Sequence, residues 1–259
     1  MGTYLFGDAG ELHGPHFDAL SSLLDAGTFA RVEQLGVADG WRCLEVGGGG
    51  GSVANWLADV VAPSGHVTVT DVDVARLEER DNVTVLEHDV VSNILPGNAY
   101  DLVHARLVLF HLPARDAVLR KLRDSLRPGG WLVLEEFDCL PLEVLSTGPG
   151  SSGSDDAKLI MRVKNALLTL LDHAGAELAW GARIEKALLD TGLNDVSGSR
   201  EVQEWEGGSP GCRLLATTAG KVRDKLPLSD DEFDRYLELM ASPETVVSSY
   251  AICSAQGRR

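Results

Sequence analysis

The chain has 259 residues, 44% of them hydrophobic and 6% aromatic, enough for a large core within one domain. Its formal charge of −16 disfavours nucleic acid and anionic membrane surfaces as partners, since both are bound through basic faces. Cys43, Cys139, Cys212 and Cys253 stand far apart with no Cys-x-x-Cys pair, so neither a metal cage nor a disulfide framework is expected.

The residues from Met1 to Asp8 lack the basic start and long apolar stretch of a signal peptide. No run approaches the roughly 20 apolar residues of a membrane span. A cytoplasmic location is the expectation. Phe17, Leu20, Leu23, Leu24 and Val32 give a helical period over 16–35, broken around Gly27. Strands then alternate with helices: strand 41–46, helix 51–61, strand 66–71, helix 74–80, strand 82–87, strand 100–105, helix 114–127, strand 130–137. That alternation predicts a parallel sheet with helices on both faces. Pro128-Gly129-Gly130 is expected to stop a helix and turn the chain.

The second half is less regular. Ser146 to Ser154 is a Gly/Ser-rich loop, after which Asp155 or Asp156 caps a helix through Leu159, Val163, Leu167 and Leu171. A helix is expected over 177–191, a strand over 196–205, helices over 211–226 and 229–241, and a last strand over 246–254. Ser229 with Glu232 fits a capping box.

The most informative run is Leu44-Glu45-Val46 followed by Gly47 to Gly51 and Ser52. Glycines at a strand-to-helix corner let a ligand lie directly on the backbone. No Lys-Ser or Lys-Thr pair follows, so a phosphate loop is excluded. A dinucleotide fingerprint is a closer rival, with Gly47 and Gly49 in its first two positions and Ser52 departing from the third. Glu45 weakens any phosphate cradle and favours a ligand carrying an ammonium group. Asp71 follows Gly51 by 20 residues, at the end of a β-branched strand, where an acid accepts bonds from both ribose hydroxyls. Asp73 is left to cap the next helix. Asp89 closes a third strand and suits an adenine amine, with the Val90 N–H on a ring nitrogen. Three acids and no phosphate site fit S-adenosylmethionine.

These motifs, with Tyr100 to Arg106, Leu109-Phe110-His111-Leu112 and Leu126-Arg127-Pro128-Gly129-Gly130 to Glu136, resemble class I S-adenosylmethionine-dependent methyltransferases. Within that class, they look like the small-molecule branch related to the ubiquinone, menaquinone and bacterial natural-product enzymes. The resemblance is strong over 40–138 and loose elsewhere. It implies a Rossmann-like doubly wound α/β sheet of seven strands in the order 3-2-1-4-5-7-6, the last strand antiparallel. It implies one domain over 1–259: an N-terminal helical cover over 1–36, a cofactor core over 37–138, and substrate-lid insertions over 139–176 and 207–241. The implied cofactor shell comprises Glu45, Gly47, Gly49, Asp71, Val72, Asp89, Val90, Ala105 and Arg106. Ala105 and Arg106 would offer backbone carbonyls to the methionine amine, and Tyr4 would meet its carboxylate.

Methyl transfer from a sulfonium is a direct displacement, so the protein mainly binds, orients and excludes water. An oxygen acceptor gains from a general base, whereas carbon or nitrogen needs only alignment. His111, after the fourth strand, is the candidate base, with an ordinary pKa near 6.5 expected. His16 and the strand-end acids Glu136 and Asp138 are candidate substrate-binding residues. The expected function is methyl transfer to a small hydrophobic metabolite in specialised metabolism, with no metal, no nucleic acid, no membrane partner, and homo-oligomers left open. The alternatives are a non-methylating reaction such as cyclisation, a binding role, and a nicotinamide oxidoreductase, the last disfavoured by Glu45.

Overall fold

A computed structural model describes residues 12–148 and 154–259. Its centre is a seven-stranded sheet built on the most apolar short runs of the chain. β1 (Arg42–Val46) lies between β2 (His66–Asp71) and β4 (Tyr100–Arg106), and β3 (Val83–Glu87) closes one side. These four strands are parallel, with Glu45 level with both Val69 and His104. β5 (Leu126–Asp138) pairs parallel to β4. β10 (Ala251–Arg258) enters antiparallel between β5 and β7 (Asn194–Glu201). The expected strand order is therefore found, β7 and β10 being its sixth and seventh strands.

Two cores flank the sheet. On one face, α2 (Ser52–Val61) and the C-terminal half of α1 (His13–Gln34) pack Val32, Leu57 and Val61 on Cys43, Leu102 and Val133. On the other, α3 (Arg115–Ser125), α4 (Asp155–His173) and α5 (Ile184–Asp190) bury Leu119, Leu122, Val163 and Leu188 with Leu44, Val103 and Leu134. Burial on both faces explains why the parallel strands read as near-continuous apolar runs. α6 (Pro210–Lys221) packs on α1 and on α7 (Asp230–Ala241), whose Ser229–Glu232 capping box is formed.

The structure corrects several local expectations. No helix forms over 74–80. Asp73 instead accepts from Ala75 N–H in a tight turn, and Leu77 packs against the glycine loop. Seven residues offer too few hydrogen bonds to repay helix nucleation once Leu77 is drawn inward. The α4 cap is Ser154, which accepts from Ala157 N–H, rather than Asp155 or Asp156. Pro128-Gly129-Gly130 does not end an element. β5 starts at Leu126 and bulges there, with Gly129 at φ +86° and the pairing jumping from Tyr100–Leu126 to Leu102–Trp131. The strands expected over 196–205 and 246–254 each split between two sheets. β8 (Glu204–Glu206), β9 (Thr245–Ser248) and β6 (Val144–Thr147) form a small antiparallel sheet in the order β6-β9-β8.

Candidate functional site

The glycine run folds as the β1–α2 corner. Gly47, Gly49 and Gly51 adopt φ of +72°, +52° and +81°, which L side chains rarely tolerate. Gly47 and Gly48 N–H donate to Thr70 O, and Gly49 N–H donates to Asp71 Oδ2 at 2.8 Å. Asp71 Oδ1 accepts from Asp73 N–H at 3.1 Å. The half-buried Asp71 carboxylate thus ties its own strand tip to the loop. Each of its oxygens keeps acceptor capacity for a hydroxyl. Val72 beside it is exposed. His88 N–H donates to Asp71 O, bringing the tip of β3 alongside that of β2.

α1 lies over this corner. A Cβ built on Gly49 would stand 2.8 Å from the Phe17 ring, and one on Gly47 would overlap Val108. The loop backbone is therefore covered by two movable apolar side chains rather than by other backbone. A nucleoside sulfonium fits this cradle if Phe17 and Val108 give way. S-adenosylmethionine would be held by the loop backbone and by Asp71.

The structure places Glu45 elsewhere than the sequence reading does. Glu45 is buried under the loop, and its Oε2 lies 2.6 Å from His104 Nδ1. His104 Nε2 lies 3.3 Å from Glu135 Oε2, and Thr28 of α1 donates to the same oxygen. Arg106 continues the chain of contacts, donating to Thr28 Oγ1 at 2.9 Å and to Asp25 Oδ1 at 2.8 Å, where Ser52 Oγ also donates. Burial alone would lower the His104 pKa, but the Glu45 charge and hydrogen bonds to Glu135 and Glu45 raise it to about 9. Burial would raise Glu135, yet hydrogen bonding to His104 and the His104 charge hold it well below the carboxylate range. The row is a buried Glu45–His104–Glu135 bridge that pins α1 to three strands. Sequence reasoning missed His104, Thr28 and Asp25. No local signal marks them, because Glu45, His104 and Glu135 come to one face only through the strand register.

Asp89 and Val90 sit in the loop after β3. The Asp89 carboxylate accepts from Ser92 Oγ at 2.7 Å and Val91 N–H at 2.8 Å, and these two bonds lower its pKa. Val90 is buried, and its carbonyl accepts from Lys121 Nζ. Asp89 is thus occupied by its own loop rather than presented bare. Ala105 is buried in β4, and Arg106 ends that strand. Leu107 follows at φ +56°, an uncommon conformation for leucine that swings the chain off the sheet. Tyr4 lies outside the described residues.

His111 ends the 3₁₀ turn Leu109–His111 that follows. Its ring rests on Phe110 at 3.9 Å between centroids. Burial lowers its pKa to about 3, so it is neutral at physiological pH, and the ordinary value near 6.5 expected from the sequence does not hold. His16, hydrogen-bonded to Thr217 of α6 at 3.3 Å, is also lowered to about 3, by burial first and then by Lys221, His13 and His111. His16 and Lys221 both flank Phe17 beside the glycine loop, and His111 makes a smaller contribution to lowering His16. Glu136 is buried, with Oε1 accepting from Leu109 N–H at 2.8 Å. Asp138 turns to β7, where Arg200 donates to its Oδ2 at 3.2 Å.

A family model described as a methyltransferase domain matches residues 17–197. The chain belongs to the methyltransferase family. S-adenosylmethionine is the cofactor of the class. The ubiquinone/menaquinone biosynthesis C-methyltransferase of Hahella chejuensis is 28% identical over 137 residues, which is 47% of this chain and 55% of the relative. The match therefore spans about half the length of that relative. A Haemonchus contortus phosphoethanolamine N-methyltransferase 2, solved with S-adenosyl-L-methionine, matches at TM-score 0.53 and 17% identity over 90% of this chain and 52% of its own. The [4+2]-cyclase SpnF matches at TM-score 0.51 and 18% identity over 89% and 80%. Such identities show a common fold. Among the described residues of this methyltransferase-family chain, no helix is long and apolar enough to cross a membrane.

Proposed function

We propose that this chain transfers a methyl group from S-adenosylmethionine to a small hydrophobic metabolite, at oxygen, carbon or nitrogen, in specialised metabolism. The observation that carries this reading is the meeting of two tips. The glycine corner tied to Asp71 closes β1, and the His111 turn closes β4 beside it. When bound, the cofactor supplies a methyl already activated by its sulfonium.

The remaining work falls to side chains of this protein. The backbone at Gly47 and Gly49 provides a flat seat, and Asp71 offers charged acceptors to the ribose. Val72, Asp89 and Val90 complete the adenosine side, and Glu45 acts from beneath through His104. Ala105 and Arg106 present main-chain carbonyls at the β4 tip. His111, neutral and largely covered, accepts a hydrogen bond from the incoming group and fixes its direction of attack. His16 and Phe17 on α1 exclude water. A cavity of about 240 Å³ beneath α1 has a mixed lining, with Leu23, Leu24, Phe137 and Ile252 beside Arg31 and Glu201, and neither His111 nor the glycine loop is among its walls. Glu136 also lines that cavity.

The test is incubation with methyl-labelled donor and a panel of hydrophobic acceptors. Label in a product, matched mole for mole by S-adenosylhomocysteine, is the expected result. The likeness to a cyclase keeps one other reading in view: product formed without release of S-adenosylhomocysteine would favour a non-methylating reaction on the same fold.

A further inference from the structure

The carboxylate of Glu136 is out of place as a strand-end acid. It is 1% exposed, faces the turn after β4, and its Oε2 has no hydrogen-bond partner. Burying a carboxylate costs several kcal/mol unless it is compensated, so something must hold it there. The compensation is the amino end of the 3₁₀ turn. Oε1 accepts from Leu109 N–H at 2.8 Å, and the N–H groups of Phe110 and Val108 also face the carboxylate. Burial still dominates and raises the Glu136 pKa to about 8, so near neutral pH the group is mainly the neutral acid, whose Oε1 still accepts from Leu109 N–H.

The other end of the turn is held as firmly. Arg115 Nε donates to Leu109 O at 3.3 Å, and its Nη2 donates to Phe110 O at 3.4 Å and to Gly175 O at 3.0 Å. Glu177 N–H adds a bond to Phe110 O, and His111 N–H closes the turn on Val108 O. A leucine at positive φ leads into the turn, so its backbone is held by these contacts rather than by its own preference.

We infer that Glu136 is a positioning residue: it caps the Leu109–His111 turn and, together with Arg115 at the far end, fixes where the His111 imidazole points. This rests on His111 being the group that meets the methyl acceptor. Glu136 acts through the turn and need not touch the acceptor itself. A loosened turn would leave the cofactor seat at β1 and β2 intact while misaligning the acceptor. Small misplacements of a reacting group cost up to about 100-fold in rate.

The experiment uses the full chain with ¹⁵N-labelled histidine. In folded Glu136→Leu, the ring signals of His111 should shift and its pKa should climb from its depressed value toward 6.5, while His104 signals stay in place. Glu136→Gln keeps an oxygen for Leu109 and should bring the His111 signals back near their native positions. Arg115→Met loosens the same turn from the other end and should move His111 likewise; it carries the test if Glu136→Leu does not fold. With an acceptor in hand, Glu136→Leu should lower kcat by about 10- to 100-fold at unchanged cofactor affinity, and adding it to His111→Ala should cost nothing further. Unmoved His111 signals in a folded variant, or losses that multiply in the double variant, would overturn the inference. If His111 moves but neither single variant loses turnover, the positioning stands and the catalytic reading of His111 falls.

Discussion

His104 stands between two buried carboxylates, with Nδ1 2.6 Å from Glu45 Oε2 and Nε2 3.3 Å from Glu135 Oε2. Glu45 lies beneath the glycine corner, and Glu135 is gripped by Thr28 of α1. The bridge therefore joins the glycine corner to the helix that covers it. Its charge state has a measurable consequence. A histidine whose pKa is about 9 when folded and near 6.5 when unfolded stabilises the fold fully below pH 6.5 and loses that contribution as pH rises through 9. The window is pH 6.5–9, and the contribution is at most about 3 kcal/mol. Chemical denaturation across pH 6–10 should show this decline in the native chain. His104→Gln should be less stable at pH 6 and should lack this part of the slope. Parallel curves for the two proteins would mean that the bridge is not ionised.

Asp71→Ala should weaken S-adenosylmethionine binding by roughly 1.5–3 kcal/mol, the worth of hydrogen bonds to a charged group. The variant also frees Gly49 N–H, so part of the loss is loop order rather than ribose contact. Asp71→Asn keeps one oxygen for Gly49 and should recover that part. Calorimetry on folded variants separates the two. Native affinity in Asp71→Ala would remove this residue from the site.

Gly49→Val should abolish cofactor binding for two separable reasons. The new side chain would meet Phe17, and the φ of +52° costs about 1–2 kcal/mol for a residue with a Cβ. Adding Phe17→Ala removes the first obstacle only, so the double variant should still bind poorly. Full recovery of affinity in the double variant would show that Phe17 packing, not the loop conformation, governs access.

The parts of this site that were legible in the sequence are those written in consecutive residues. The glycine corner, Asp71 at the end of β2, Asp89 just past β3, and the β4 sequence through His111 each carry their signal locally. The Glu45–His104–Glu135 bridge was not legible, because it depends on the register of three strands more than 50 residues apart in places. The same limit hid the small sheet: β8 and β9 are continuous in pattern with β7 and β10, and only tertiary pairing divides them. Glu136 read as a substrate-binding acid because nothing local says that the turn after β4 folds its N–H groups onto it. The missing helix after Asp71 shows the opposite failure, in which helical spacing was present but Leu77 found a better place against the loop.

His111 offers the sharpest measurement. Burial holds its pKa down to about 3, against 6.5 for a free imidazole. The neutral ring is fully populated above about pH 4, and turnover should not fall through pH 6.5 on account of this group. A nitrogen so weakly basic is poorly matched to removing a proton at neutral pH. Its remaining work is to accept a hydrogen bond and aim the acceptor. His111→Ala should therefore cost about 10- to 100-fold in turnover at unchanged cofactor affinity, with a profile flat over pH 5–8. A loss of 10²- to 10⁴-fold with an acid limb near pH 6.5 would instead mark a true general base whose pKa is restored when the acceptor binds. A loss below about threefold would take His111 out of the reaction, and the choice between β4 and α1 for the acceptor-facing group would pass to His16.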